Sequence, residues 1–123
     1  MLATAADIAV VLVAALHLWF LVLEMFLWDR PLGRRTFGMT PDKAAVTKPL
    51  AMNQGLYNGF LAAGLLWGLA AGAQVQIFFL ACVIVAGVFG ALTASRKILW
   101  VQAVPGLIAL VFVLLRPGAL PGT

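Results

Sequence analysis

The chain has 123 residues, 64% of them apolar or aromatic and only 10% charged. Its mean hydropathy is +1.09. Soluble domains are roughly 45–50% apolar and about 25% charged, and one this small could not bury so much apolar surface. That excludes a soluble single domain, and the low charge excludes a disordered chain. What remains is an integral membrane protein with one small domain over residues 1–123.

Eight Lys and Arg against four Asp and Glu leave a net charge of +4. In a soluble protein such a balance would point to nucleic acid. Here, basic loops beside membrane spans account for it, and no nucleic-acid partner is expected. The single cysteine, Cys82, lies in an apolar run. It cannot form an internal disulfide, and no Cys/His cluster has metal-ligand spacing, so neither metal nor cofactor is expected.

Crossing a bilayer takes about 20 apolar residues. Four runs qualify, over about residues 5–28, 50–71, 75–95 and 98–115. Long unbroken runs read as helices rather than alternating strands. Thr4 and Asp7 have the spacing of a capping box at the start of the first run. That run is too long, and too poor in flanking Lys and Arg, for a signal peptide. Residues 29–49 form a real loop. Within it, Thr40-Pro41-Asp42 has the chemistry of a helix start. A short surface helix over about 41–47 is expected, with Pro49 restarting or kinking the chain. The later links are short, and short links make antiparallel neighbours. The predicted fold is therefore all-α: an antiparallel four-helix transmembrane bundle.

Arg30, Arg34, Arg35, Lys43, Lys48, Arg96 and Lys97 fall on one side of the membrane, and Arg116 alone falls on the other. The positive-inside rule puts the 29–49 loop in the cytoplasm and both termini outside. Arg34, Arg35 and Lys97 then serve as topology signals with some contact to lipid headgroups.

Polar residues inside spans are costly and therefore informative. His17 and Glu24 share one stripe of the first helix with Leu21 and Trp28. Asn53, Gln54, Tyr57 and Asn58 cover an arc of about 140° on the second. Gln102 precedes Pro105 on the fourth, and that proline should kink the helix by freeing the Val101 carbonyl. With Trp28, Pro49 and Lys97 as interface marks, Glu24 and Asn53 lie about 6 Å deep and Gln102 about 8 Å. Asn58 and His17 lie about 14 and 16 Å deep. Three helices thus bring polar groups to one cytoplasmic-side layer, while the outer halves look almost purely apolar. The pattern predicts a polar pocket open to the cytoplasm. The bland alternative is that these side chains simply tie helices together by hydrogen bonds. For Glu24 that alternative includes snorkelling, or pairing with Lys97 or Arg35.

Small residues form stripes at Gly55, Gly59 and Ala63, at Gly64, Gly68 and Gly72, and at Ala86, Gly90 and Ala94. Such stripes permit close helix approach, mainly within the bundle and secondarily in a homodimer. Trp28, Trp67 and Trp100 fall where interfacial anchors belong.

Four segments carry a family likeness. They are the run from His17 through Glu24 to Trp28, Arg35-Thr-Phe-Gly-Met-Thr40-Pro, Asn53-Gln-Gly-Leu-Tyr57-Asn-Gly-Phe-Leu-Ala62, and Lys97-Ile-Leu-Trp-Val-Gln102-Ala-Val-Pro105. Together they resemble a group of small bacterial membrane proteins catalogued as domain of unknown function 1304. The resemblance covers nearly the whole chain. It implies four spans and a bacterial inner membrane, and it supplies no activity.

Three functions compete. The first is a pocket for a small or lipid-like ligand, with proton-coupled transport as its extension. Glu24 would then be the proton acceptor and His17 a deeper relay, with Asn53, Gln54, Tyr57, Asn58 and Gln102 holding the ligand. The second is an accessory or scaffold subunit whose polar residues are all paired. The third is an intramembrane acid–base enzyme acting on a lipid-like substrate. Against the third, His17 and Glu24 stand about 10.5 Å apart along their helix, too far for direct contact.

Overall fold

The computed structural model describes residues Met1–Thr123, which form helices and no strand. In chain order the helices are α1 (Leu2–Met25), α2 (Pro31–Phe37), α3 (Pro41–Ala71), α4 (Ala73–Thr93) and α5 (Val104–Leu115). A π-helical turn, Leu99–Ala103, leads into α5. Helices α1 and α4 are long and apolar enough to cross a membrane. Their 24 and 21 residues give about 36 and 31 Å of axis against a hydrocarbon core of ~30 Å. The stretch from Leu99 to Leu115 is apolar but shorter.

The chain divides into two compact units, one of residues 15–62 and one of residues 1–14 with 63–123. In the 15–62 unit, the lower half of α1 packs on the first half of α3. Gly55 and Gly59 make this approach close: a side chain on Gly55 would press on Met25, Glu24 and the Leu21 carbonyl, and one on Gly59 on Leu21. Leu23, Ala44, Ala51 and Ala62 are buried in this unit.

Helix α2 interrupts the stretch expected to be loop. Pro31 starts it, where a missing N–H costs nothing. Gly38, at φ 62°, ends it with its N–H on the Arg34 carbonyl, and the Met39 N–H bonds the same oxygen at 2.8 Å. This left-handed cap favours glycine. Gly33 lies so close to the Leu27 carbonyl that no side chain fits there. The ring of Phe37 meets Trp28 at 4.7 Å.

Helix α3 differs from the expected short surface helix and restart. The Thr40 hydroxyl caps it by accepting from the Lys43 N–H at 3.2 Å. The helix then runs through Pro49 without a break. A proline at this point deprives the Ala45 carbonyl of its helical partner. Ala45 is exposed, so solvent can satisfy that oxygen.

In the other unit, α4 packs against the π turn and α5. Gly64 and Gly68 of α3 meet Phe79 and Gln76, and Gly87 meets Ala103. Pro105 falls in the first turn of α5, directly after the π turn. The irregularity expected as a proline kink is instead the wide turn before it. In that turn the Val104 N–H reaches back to the Leu99 carbonyl.

Candidate functional site

The buried polar side chains are His17, Glu24, Asn58 and Gln76. Three of them lie in the 15–62 unit. Glu24 is 8% exposed and Asn58 6%. The Asn58 Nδ2 donates to Glu24 Oε1 at 2.5 Å. The Gly55 and Gly59 contacts that seat α3 on α1 bring this amide to this carboxylate. Glu24 belongs to neither ion pair of the molecule; those are Lys48 with Asp29 and Arg116 with Asp7. A neutral amide is thus its one side-chain hydrogen-bond partner. His17 is fully buried two turns earlier on α1 and meets the Phe20 ring edge-on at 5.4 Å.

The remaining expected residues are placed differently. Asn53, Gln54 and Tyr57 are exposed on α3. The 140° arc is wide enough to straddle the helix, so Asn58 faces α1 while Asn53 and Tyr57 face outward. Gln102 belongs to the other unit, where its Nε2 donates to the Val83 carbonyl at 3.1 Å. Arg35 and Lys97 are exposed, and Arg34 is partly buried.

Just beyond Glu24, polar side-chain contacts tie Trp28 and Asp29 to α3. The Trp28 indole N–H donates to the Thr47 hydroxyl at 3.0 Å. Lys48 Nζ pairs with Asp29 at 3.0 Å. This bond holds the Asp29 carboxyl below its ordinary value of 3.8. Trp67 and Trp100 are exposed.

The sequence reading missed a second polar cluster, in the 1–14 and 63–123 unit. Arg116 Nη1 donates to Asp7 Oδ1 at 3.3 Å and to Gln76 Oε1 at 3.1 Å. The buried Gln76 amide also donates to the Gly68 carbonyl at 3.1 Å. Asp7 therefore serves Arg116 rather than a capping box, and α1 already begins at Leu2. The outer ends of the predicted spans are less apolar than expected. The available signal was a lone acid, amide and base, each at the end of a span on the side with little charge.

Two open surface depressions occur in that unit. One is lined by Trp67, Gln74, Val75, Phe78 and Phe79, and the other by Thr4, Asp7, Ile8, Val11 and Leu12. Neither includes Glu24 or Asn58. No three His, Cys, Asp or Glu side chains are grouped to hold a metal ion.

A small all-helical chain with a carboxylate–amide pair buried on an apolar helix is the class that emerges. The chain belongs to the family described as protein of unknown function (DUF1304), whose profile matches residues 11–114. A relative from Lactococcus lactis subsp. lactis (strain IL1403), named uncharacterized protein YpaA, is 30% identical over 105 residues. That match spans 81% of this chain and 88% of the relative. No solved structure matches the chain.

Proposed function

We propose that the chain is a multi-pass protein of a bacterial inner membrane in which Glu24 and Asn58 form the centre of a proton- and ligand-binding site. The ligand is small or lipid-like, and proton-coupled movement of it is the activity the site fits best. The membrane reading draws on composition, on α1 and α4, and on the large apolar side chains exposed along every long helix, among them Leu12, Trp67, Val85 and Leu107. Hydrocarbon, not water, suits such surfaces. The basic residues orient the 29–49 loop toward the cytoplasm.

One observation carries the site. Glu24 is a buried acid on an apolar helix, and its hydrogen-bond partner is a neutral amide rather than a cation. A carboxylate locked to Arg or Lys has its charge balanced permanently. One facing an amide can take up and release a proton, because Asn58 can donate to the ionised form and still bond the neutral one. His17 on the same helix extends the polar path.

The test is infrared spectroscopy of the protein in lipid across pH. The expected result is a protonated-carboxyl band that titrates in the wild type and is absent from Glu24→Gln. A wild type with no titrating intramembrane carboxyl would sink the proposal. The accessory-subunit reading stands second, and a specific observation favours it. The two side chains close on each other, and the open depressions lie elsewhere. On that reading Glu24→Gln, which keeps the hydrogen bond, leaves every cellular phenotype intact.

A further inference from the structure

The Asn53-Gln-Gly-Leu-Tyr57-Asn-Gly string divides across α3. Gly55, Asn58 and Gly59 face α1. At about 100° per residue, Asn53 and Tyr57 lie within about 40° of each other on the opposite side. Leu50 (74% exposed), Tyr57 (52%) and Phe60 (57%) share that outward face with Asn53. Neither Asn53 nor Tyr57 makes a side-chain hydrogen bond within the chain; Tyr57 has only an edge contact with Phe60. From Lys48, where the charged layer ends, they stand about 7 and 13 Å further along the helix axis. An amide and a phenol there lack partners in hydrocarbon, and lipid tails supply none.

We propose that this face of α3 seats the same face of a second copy of the chain, across a twofold axis normal to the membrane. An amide and a phenol each donate and accept, so a face carrying both is complementary to itself. The strong bias of basic residues to one side gives every copy one orientation. Two α3 helices therefore meet in parallel, with Asn53 opposite Asn53 and Tyr57 opposite Tyr57 at equal depth. Two of the three small-residue stripes do not compete for this role, since Gly55 and Gly59 are covered by α1 and Gly64 and Gly68 by Phe79 and Gln76; in the third, Gly90 is met by Ile98.

The inference rests on the membrane reading and not on the Glu24 site. The test uses the full chain with Cys82→Ala, in isolated membranes after carbonate washing. Asn53→Cys and Tyr57→Cys should each give a disulfide-linked homodimer on mild oxidation, whereas Val85→Cys, exposed on α4, should stay monomeric. In labelled bilayers, Asn53→Leu should weaken association by about three- to thirtyfold, the range for one hydrogen bond between membrane helices. Glu24→Gln should leave association unchanged. A chain that stays monomeric at every protein-to-lipid ratio overturns the proposal. So does equal cross-linking at Val85→Cys, or a dimer indifferent to Asn53→Leu. Release by carbonate overturns the membrane reading along with it.

Discussion

Helix α1 carries two carboxylates that the structure treats in opposite ways. Asp7, in the unit of residues 1–14 and 63–123, faces a cation: Arg116 bonds it and is itself steadied by Gln76. Glu24, in the unit of residues 15–62, faces an amide and no cation. The first arrangement is closed, because each charge is met by a fixed opposite charge. The second leaves the charge state of the acid to be set by whatever reaches it. An acid near a membrane that is meant only to hold helices together is best built like Asp7. One meant to exchange a proton or a ligand is best built like Glu24.

The largest expected effect breaks the second arrangement at its base. Gly55→Leu pushes α3 off α1 and separates Asn58 from Glu24, at a cost of about 3 kcal/mol by overpacking, read from unfolding in detergent. Asn58→Leu keeps the helices together but leaves Glu24 buried without a partner, a loss of about 1–3 kcal/mol. Glu24→Gln retains an acceptor for Asn58 and should cost less than about 1 kcal/mol in the same unfolding measurement. Arg116→Gln should cost about 1 kcal/mol or less, since Asp7 is half exposed, and the loss should shrink in high salt. If Arg116→Gln proves more damaging than Asn58→Leu, the contrast between the two acids is reversed. The smallest effect concerns the exposed Asp29–Lys48 pair. The lowered Asp29 value gives a contribution that is full above the ordinary aspartate range and is lost as pH falls through the native value. In Lys48→Gln, the Asp29 side chain should titrate closer to 3.8 than in the wild type, by NMR.

Much of this was legible in the residues. Apolar run length located α1 and α4, and Thr40-Pro41 located the start of α3. Depth marked Glu24 and Asn58 among seven polar residues but put them in different layers, because Pro49 served as an interface mark although α3 runs through it; their pairing comes from the Gly55 and Gly59 contacts. Three things were hidden, each for a physical reason. Helix α2 has too few apolar residues for a period, and only Pro31 and Gly38 marked its ends. Pro49 read as a restart or a kink, and the restart does not occur because the carbonyl it strands is exposed, which sequence does not show. The Asp7, Gln76 and Arg116 cluster joins residues from three distant helix ends, so no local pattern announces it.

The π turn at Leu99–Ala103 has a consequence for phase. Ile98 packs on Gly90 of α4, and Gly106 packs on Val83 of the same helix. In unbroken α-helical winding the two would point about 80° apart. Absorbing one extra residue in the wide turn brings them to within about 20°. The turn works like a skipped tooth on a gear, letting one strip of α4 be met on both sides of the irregularity. Deleting a single residue there would restore regular winding and still leave Gly106, Ala109 and Val113 on the helix they now cover, whereas winding every residue as α-helix would rotate them about 100° away.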